Sequence, residues 1–239
     1  LRESLNELER TTQEKARLEK LSALGEMSMT VAHEIKNPLN AIRGAVAYLQ
    51  NNFHGEVLRE FLGIIEAETK RLNEIVTNYL VFSRPAPLRK ERADLNRALA
   101  DVVNLMRQEV SEDNKEIVLQ TDDALPHFRF DVHQMKQAFL NLLVNAADAT
   151  RPGDTITVRT IARDGMADVM IKDTGAGIPG AVLNEIFRPF YTTKTHGSGL
   201  GLPCVERIIR DHGGDIKVVS EPGIGTEFLV SIPVGGLDD

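Results

Sequence analysis

The sequence has few of the residues on which several protein classes depend. Its 239 residues contain no tryptophan and one cysteine, Cys204, so no disulfide can form within the chain. A secreted scaffold held together by disulfides is therefore excluded, and a reducing compartment is expected. Because Cys204 stands among the apolar residues Leu202, Val205 and Ile208, we interpret it as a small core residue and not as a reactive thiol.

Long apolar runs and an excess of positive charge are also absent. No stretch approaches the roughly 20 apolar residues that a membrane-spanning helix needs, and the charged N-terminus is unlike a signal peptide. The formal net charge is -7, and no segment concentrates the basic residues that contacts with DNA phosphates require. We therefore expect no nucleic-acid partner and no membrane contact in this fragment. Since the chain starts at Leu1 and not at methionine, we expect it to be the cytoplasmic portion of a longer protein, itself either membrane-anchored or soluble.

Two amphipathic helical patterns occupy the first third of the chain. The first has apolar or small residues with the three-four spacing of a coiled coil at Leu18, Leu21, Gly25, Ser28, Ala32, Ile35, Leu39, Ile42, Val46 and Leu49. The second, from about Glu56 to Ser83, has the same spacing at Leu58, Leu62, Ile65, Thr69, Leu72, Val76 and Tyr79. Turn-forming residues between them predict an antiparallel hairpin. A lone hairpin leaves its apolar seam uncovered, and so we expect two copies to pair as a four-helix bundle.

A histidine lies beside the first apolar seam, in the sequence HEIKNPL at residues 33–39. His33 is one residue off the seam, about 100° around the helix, and is therefore held rigidly while facing solvent. Glu34 can hold an imidazole proton, and Asn37 lies one turn further along the same face. A histidine on a bundle surface is usually structural, so this pattern indicates a nucleophile only together with motifs elsewhere.

Those motifs follow in the second half of the chain. They are the asparagine pair Asn141 and Asn145, DTGAGIP at 173–179, FRPFYTTK at 187–194 and GSGLGL at 197–202. In this order and spacing, and together with residues 33–39, they resemble the sensor histidine kinases of two-component systems from about Leu21 to the end. In that family a lysine and a tyrosine often follow the asparagine pair, whereas this chain has Asp148 and Ala149 at those positions. In this respect the chain resembles the nitrogen-regulation branch of the family.

The order of predicted elements indicates an α+β protein. After the helical hairpin we predict helices at about Asp94–Val110, Asp131–Ala149 and Leu200–Asp211, and strands at 117–120, around Phe128, and at 155–161, 167–172, 215–219 and 226–232. This resembles the two-layer α/β sandwich that binds ATP in histidine kinases, gyrases and ninety-kilodalton chaperones. We divide the chain into a coiled-coil signalling helix (1–20), a dimerisation and histidine phosphotransfer domain (21–84), a linker (85–88) and a catalytic ATP-binding domain (89–239).

The resemblance implies a role for Asp173 in binding adenine. By the two-residue period of its strand, Asp173 shares the buried face of Val169 and Ile171 and needs a hydrogen-bond donor. The carboxylate could cap the glycine turn that follows. In the family that this chain resembles, the matching aspartate instead accepts a hydrogen bond from the amino group of adenine. Gly175 and Gly177 permit left-handed backbone and close approach of the base.

The same resemblance assigns the phosphates and Mg²⁺ to neighbouring residues. Asn141 and Asn145 are one helical turn apart, and we assign Mg²⁺ to Asn145 first and Asn141 second, because this cation prefers oxygen ligands. The phosphates are assigned to unpaired amides at the start of the last helix, at Gly197, Gly199, Leu200 and Gly201. The segment between Gly177 and Gly197 is interpreted as a lid anchored by Phe187 and Phe190. Lys194 is expected to reach the terminal phosphate, with Arg188 adding positive charge.

The implied function is ATP-dependent autophosphorylation of His33 in a homodimer. The phosphoryl group would pass to an aspartate in the receiver domain of a response regulator, with Glu34 accepting the second imidazole proton and Asn37 orienting water for a phosphatase reaction. Two alternatives are an ATP-driven conformational machine and a scaffold without catalysis. His33 beside Glu34 disfavours the first, and the complete nucleotide motifs disfavour the second. The sequence leaves open the stimulus, the cognate regulator, the attacking nitrogen and cis or trans phosphorylation.

Overall fold

The chain divides into two compact units between Pro85 and Ala86. A computed structural model describes residues 35–49, 58, 60–66, 68–69, 72, 76, 87–194 and 197–235. His33, Glu34 and the predicted signalling helix over 1–20 lie outside the described residues, as does the predicted turn between the first two helices.

The described part of the first unit consists of two helices. Helix α1 covers residues 35–49, and helix α2 includes the described residues from 58 to 76. The rings of Tyr48 and Phe61 stack with 4.4 Å between their centroids, so the end of α1 contacts the start of α2 as a hairpin requires. Across the residues that the structure describes, no helix is both long and apolar enough to span a membrane.

The apolar residues of this hairpin form two sets that differ in exposure. Pro38 and Ala45 on α1 are buried. By contrast, the side chains of Leu39 and Val46 are 51% and 41% exposed, and those of Leu62 and Val76 are 50% and 40% exposed. Within α1 the exposed pair is seven residues apart, and so a heptad-spaced apolar stripe remains uncovered in the single chain.

The second unit is built on a mixed β-sheet. The strands in chain order are β1 (Glu91–Ala93), β2 (Glu116–Gln120), β3 (Phe128–Phe130), β4 (Thr155–Arg163), β5 (Met166–Asp173), β6 (Asp215–Glu221) and β7 (Gly225–Pro233). The main sheet has five strands in the order β2-β4-β5-β7-β6, in which β2 and β4 are parallel and the other neighbours are antiparallel. Strands β1 and β3 pair separately as an antiparallel ribbon.

Helices of this unit pack on the main sheet and form the second layer. They are α3 (Leu95–Glu112), α4 (Val132–Ala149) and α5 (Gly201–Asp211). Helix α4 contacts α3 on one side and α5 on the other, and it also packs against β5. Its core residues, such as Phe139 and Leu142, are fully buried, as are Val158 and Val169 of the sheet. Each such side chain contributes about 1.5–3 kcal/mol of burial energy, which fixes α4 firmly on the sheet.

The α+β class and the predicted elements of this unit are confirmed, with ends that agree within two residues. Asp94 and Asp131 cap α3 and α4 by accepting the backbone N–H groups of Arg97 and Gln134. Cys204 is buried as expected, and desolvation raises the pKa of its thiol to about 12. It is therefore a core residue.

Two short elements were not predicted, namely β1 and a 3-10 helix over Gly180–Val182. Strand β1 has the sequence Glu-Arg-Ala and no apolar alternation that would signal a strand. It forms because Glu91 and Ala93 pair with the two ends of β3, and this partner lies far away in sequence.

Candidate functional site

Helix α4 presents the predicted asparagine pair at the edge of the core. Asn141 and Asn145 are half-buried, whereas Leu142 and Ala146 beside them face the interior. Residues four apart project from the same side of a helix. Both amides are therefore held by a packed helix and remain accessible at its border.

Asp173 lies at the end of β5 with only 3% of its surface exposed, which confirms the predicted buried face. Its Oδ1 atom accepts the backbone N–H of Gly175 at 2.9 Å and that of Thr226 at 3.2 Å. Among the described residues no hydrogen bond ends on Oδ2. Desolvation raises the pKa of this carboxyl group, and the two backbone hydrogen bonds oppose that shift. One oxygen thus caps the glycine turn, and the other remains available as an acceptor.

The glycine turn after Asp173 packs on the last turn of α4. Gly177 has φ +67° and so adopts the left-handed backbone that glycine permits, and a Cβ there would lie 2.1 Å from the carbonyl oxygen of Glu221. Gly175, by contrast, does not adopt a positive φ. Its Cβ would instead lie 2.2 Å from the carbonyl oxygen of Ala149, because the neighbouring Ala176 N–H donates to that oxygen at 2.9 Å. At both glycines the close approach is thus to this chain's own carbonyl groups.

Lys194 contacts the C-terminal part of α4. Its Nζ atom donates to Asn145 Oδ1 and to Asp148 Oδ2, both at 2.7 Å. Arg188, the other expected cation of this segment, forms an ion pair with Glu185. Phe187 and Phe190 are half-buried, and the backbone N–H of Phe190 donates to the carbonyl of Gly199 at 2.9 Å.

The glycine-rich segment leads into the first turn of α5. The prediction of an unpaired amide at Gly197 is wrong, because the N–H of Gly197 donates to the carbonyl of Lys194 at 3.3 Å. The N–H of Leu200 donates to Ser198 Oγ at 3.4 Å, so this predicted phosphate contact is also occupied. The N–H groups of Gly199 and Gly201 have no protein acceptor within the described ranges. Of the four predicted amides, these two therefore remain open to an anion.

The loops of the candidate site contact α4 once per helical turn. The contacts are Gly201 to Asn141 at 3.5 Å, Lys194 to Asn145 at 2.7 Å and Ala176 to Ala149 at 2.9 Å. Because these helix residues are spaced by four, the three contacts lie along one face. Residues that are scattered from 141 to 201 in the sequence are thereby brought to one side of a single helix.

The oxygen atoms at this face fit a magnesium ion that is bound together with phosphates. Within the described ranges no three His, Cys, Asp or Glu side chains cluster as a metal site. Asn145 and Asp148, however, direct their oxygens at one cationic nitrogen, that of Lys194. Amide and carboxylate oxygens are suitable ligands for Mg²⁺, which usually takes few protein ligands and completes its shell with phosphate and water.

Sequence reasoning did not identify Asp148, Thr226 or the Ala149 carbonyl as parts of this site. Asp148 was noted only as a departure from a family pattern. Its spacing of three residues from Asn145 is a signal that places both side chains near each other on the helix. Of the predicted phosphoacceptor residues, the structure describes Asn37, which is exposed on α1.

Two family models match the chain. The model described as "Histidine kinase-, DNA gyrase B-, and HSP90-like ATPase" matches residues 130–236, and that described as "His Kinase A (phospho-acceptor) domain" matches residues 23–87. Among curated proteins, the signal transduction histidine-protein kinase AtoS of Escherichia coli (strain K12) is 34% identical over 225 residues. That alignment covers 94% of this chain and 37% of AtoS, so the chain spans well under half of that relative.

Solved structures of histidine kinases are also similar to this chain. The catalytic domain of histidine kinase ThkA is 30% identical, with a TM-score of 0.57, over 61% of this chain and 96% of that domain. ThkA in complex with response regulator protein TrrA is 30% identical, with a TM-score of 0.77, over 95% of this chain and 66% of ThkA. Full-length ShkA in complex with AMPPNP is 26% identical, with a TM-score of 0.68, over 90% of this chain and 47% of ShkA.

Proposed function

Since this chain belongs to the sensor histidine kinases of two-component systems, we propose that it phosphorylates its own His33 with ATP and then transfers the phosphoryl group to a response regulator. The observation that carries this proposal is the row of contacts on α4, which groups the nucleotide motifs on one helix face. Such a grouping is what a site for an adenine nucleotide with its phosphates requires.

Adenine is recognised at Asp173. The Oδ1 atom is occupied by two backbone N–H groups, and Oδ2 is the acceptor for the exocyclic amino group of the base. Guanine has a carbonyl oxygen at the corresponding position, so a buried acceptor disfavours it. The similarity to ShkA, whose structure contains AMPPNP, supports an adenine nucleotide as the ligand.

The phosphates extend from Asp173 along α4 towards the start of α5. The amides of Gly199 and Gly201 and the positive end of the α5 dipole receive the anion. Asn145, with Asn141 one turn away, would hold Mg²⁺, which would offset the charge that develops on the transferred phosphoryl group. Lys194 adds a further positive charge on the same side.

The phosphoacceptor is His33, which lies two residues before the first described residue of α1. Glu34 accepts the proton of the second imidazole nitrogen, so the attacking nitrogen keeps its lone pair. Asn37, four residues after His33 in the sequence, is exposed on α1 and can orient a water molecule against a phosphorylated regulator. The His Kinase A match over residues 23–87 supports this assignment and disfavours an ATP-driven machine without a phosphoacceptor.

Two copies of the chain form the active unit. The uncovered stripe with Leu39 and Val46 on α1, and Leu62 and Val76 on α2, has the exposure and spacing of a bundle interface. The aspartate acceptor belongs to the receiver domain of a response regulator, as the solved complex of ThkA with TrrA supports. ATP as substrate and such a regulator as partner also favour a cytoplasmic location for this portion.

Radiolabelled ATP tests the proposal directly. The chain is incubated with ATP labelled on the γ-phosphate and Mg²⁺, and the labelled protein is then treated with acid or base. We expect a label that acid removes and base preserves, because phosphohistidine has this stability. His33→Ala should abolish the label while nucleotide binding and dimerisation persist, and His54→Ala is the matched control that should retain it. An unchanged label in His33→Ala would overturn the assignment of the nucleophile.

A further inference from the structure

Lys194 occupies a position between two oxygen atoms of α4. The distances from its Nζ atom to Asn145 Oδ1 and to Asp148 Oδ2 are both 2.7 Å. The side chains of Lys194 and Asp148 are 41% and 51% exposed, so the pair lies at the border of the site and not in the core. Two oxygens three residues apart on one helix are thus directed at a single positive charge.

The backbone around Lys194 sets the direction of this side chain. Its N–H donates to Thr192 Oγ1 at 3.1 Å, and its carbonyl accepts the N–H of Gly197 at 3.3 Å. A side chain at position 197 would come within 3.1 Å of Lys194 Cβ and 2.5 Å of Thr192 Oγ1. The turn that carries Lys194 is therefore compact, and it orients the lysine towards α4.

The same oxygens are those that a magnesium ion would use. Asn145 is the residue assigned to Mg²⁺. The carboxylate of Asp148 contacts the same cationic nitrogen, Lys194 Nζ, as the amide oxygen of Asn145. An ammonium group and a metal ion cannot occupy one position, since both need direct contact with these oxygens. Binding of the metal must therefore displace Lys194.

We propose that Lys194 occupies the cation position of the nucleotide site in the nucleotide-free protein and that Asp148 holds it there until the metal bound with the nucleotide takes its place. This inference rests on the proposed nucleotide site. Asp148 then has two roles, because it retains the lysine in the absence of nucleotide and supplies a carboxylate oxygen to the metal afterwards. The released Lys194 is left free to approach the phosphates.

The two residues should change the magnesium dependence of nucleotide binding in opposite directions. Lys194→Met removes the competing cation and also a positive charge near the phosphates, so ADP binding without metal weakens while the metal binds more readily. The ratio of the ADP dissociation constant in EDTA to that in Mg²⁺ should therefore rise. Asp148→Asn removes a carboxylate from the metal, and the same ratio should fall. We expect each change to be about two- to fivefold, the scale of an exposed ion pair.

Asp101→Asn provides a matched control. Asp101 on α3 pairs with Lys136 on α4 at the same 2.7 Å distance, but the pair includes none of the residues assigned to the nucleotide. Titration calorimetry of the whole chain with ADP, in EDTA and in excess Mg²⁺, should give the wild-type ratio for Asp101→Asn.

Acylation of lysines in the nucleotide-free protein, followed by mass spectrometry, gives a second measurement. Asp148→Asn should accelerate acylation at Lys194 and not at Lys136, and Asp101→Asn should do the reverse.

The outcomes separate this inference from the proposed function. If the wild-type chain binds ADP but the ratio is unchanged in both variants, or shifts in the same direction, the shared cation position is wrong and the nucleotide site stands. Unchanged acylation at Lys194 in Asp148→Asn would contradict the holding role of Asp148. If the wild-type chain binds neither ADP nor ATP, the proposed function and this inference both fail.

Discussion

The ring of His212 joins the end of α5 to the start of α4, because its Nε2 atom accepts the backbone N–H of Asp131 at 3.0 Å. Its Nδ1 atom lies 2.7 Å from the carbonyl oxygen of Ile208, which requires the proton on Nδ1 and a neutral ring. Asp131 in turn caps α4 through Gln134, and its second oxygen accepts the N–H of Arg89 at 2.9 Å. One neutral histidine therefore links both helices of the candidate site with the beginning of the second unit.

Acidification should destabilise the second unit through His212. Burial lowers the pKa of His212 below its ordinary value of 6.5, and the charge of Lys90 acts in the same direction. The hydrogen bond to the Ile208 carbonyl and the charges of Asp131 and Asp211 oppose this shift. Because the unfolded chain binds the proton more readily, the stabilisation is present above the ordinary pKa and is lost as the pH falls through the lower folded pKa.

Thermal unfolding from about pH 7.5 to about pH 5 measures this effect. His212→Gln should lower the free energy of unfolding at neutral pH by about 1–3 kcal/mol, since the buried N–H of Asp131 loses its acceptor. It should also reduce the loss of stability on acidification. His133→Gln, at an exposed position in the first turn of α4, should leave the pH profile unchanged. A profile for His212→Gln that parallels the wild type would remove this histidine as the cause.

Asp173→Asn should weaken nucleotide binding and leave the fold intact. The amide oxygen can still accept the N–H groups of Gly175 and Thr226, but an NH₂ group then replaces Oδ2 and faces the amino group of adenine. We expect a loss of about 1.5–3 kcal/mol in ADP binding, the scale for losing a hydrogen bond to a charged group. Calorimetry gives the affinity, and circular dichroism checks the fold.

Asp168→Asn is the control for this substitution. Asp168 is also buried on β5 but accepts the hydroxyl of Ser231 at 2.6 Å, and by strand parity it points to the opposite face from Asp173. Its substitution should leave ADP affinity close to the wild-type value. Wild-type affinity in Asp173→Asn itself would mean that the carboxylate serves only to cap the turn.

Gly177→Ala should lower the free energy of unfolding by more than the strain of a left-handed alanine accounts for. A Cβ at position 177 would clash with the Glu221 carbonyl at 2.1 Å, whereas Gly223 has a similar φ of +80° and open space around it. Gly223→Ala should therefore cost only the strain of the backbone, about 1 kcal/mol or slightly more. Chemical denaturation should show a larger loss for Gly177→Ala, together with weaker ADP binding. Equal losses in the two variants would mean that the contact with Glu221 relaxes easily.

Asn37→Ala should separate the phosphatase reaction from autophosphorylation. Asn37 is exposed on α1, and hydrolysis needs a positioned water molecule whereas phosphorylation has its nucleophile in place. We expect preserved nucleotide binding, partial loss of His33 phosphorylation and a greater loss of phosphatase activity. Decay of phosphate on a cognate regulator, with ADP and Mg²⁺ present, measures the latter. Asn40→Ala, three residues further on and also exposed, is the comparison variant, and equal decay rates for Asn37→Ala and the wild type would exclude the role of Asn37.

Local regularities of the sequence were sufficient to predict most elements of the second unit. The period of a helix places Asn141 and Asn145 on one face, and the period of a strand places Asp173 on the buried side with Val169 and Ile171. Both features were confirmed because they depend on neighbours within one element. The cap of α4 by Asp131 is equally local, since its partner Gln134 is three residues away.

Contacts between distant residues were decided by the tertiary structure. Lys194 and Asp148 are separated by 46 positions, and His212 and Asp131 by 81, so no local period relates their side chains. Likewise, Gly175 must be glycine because Ala149 lies against it, and not because of its own backbone angle. The sequence by itself determined the family, the elements and the faces that the asparagines and Asp173 occupy. Only the packing of loops on α4 determined which groups meet there, because the distance between two such groups depends on every element that folds between them.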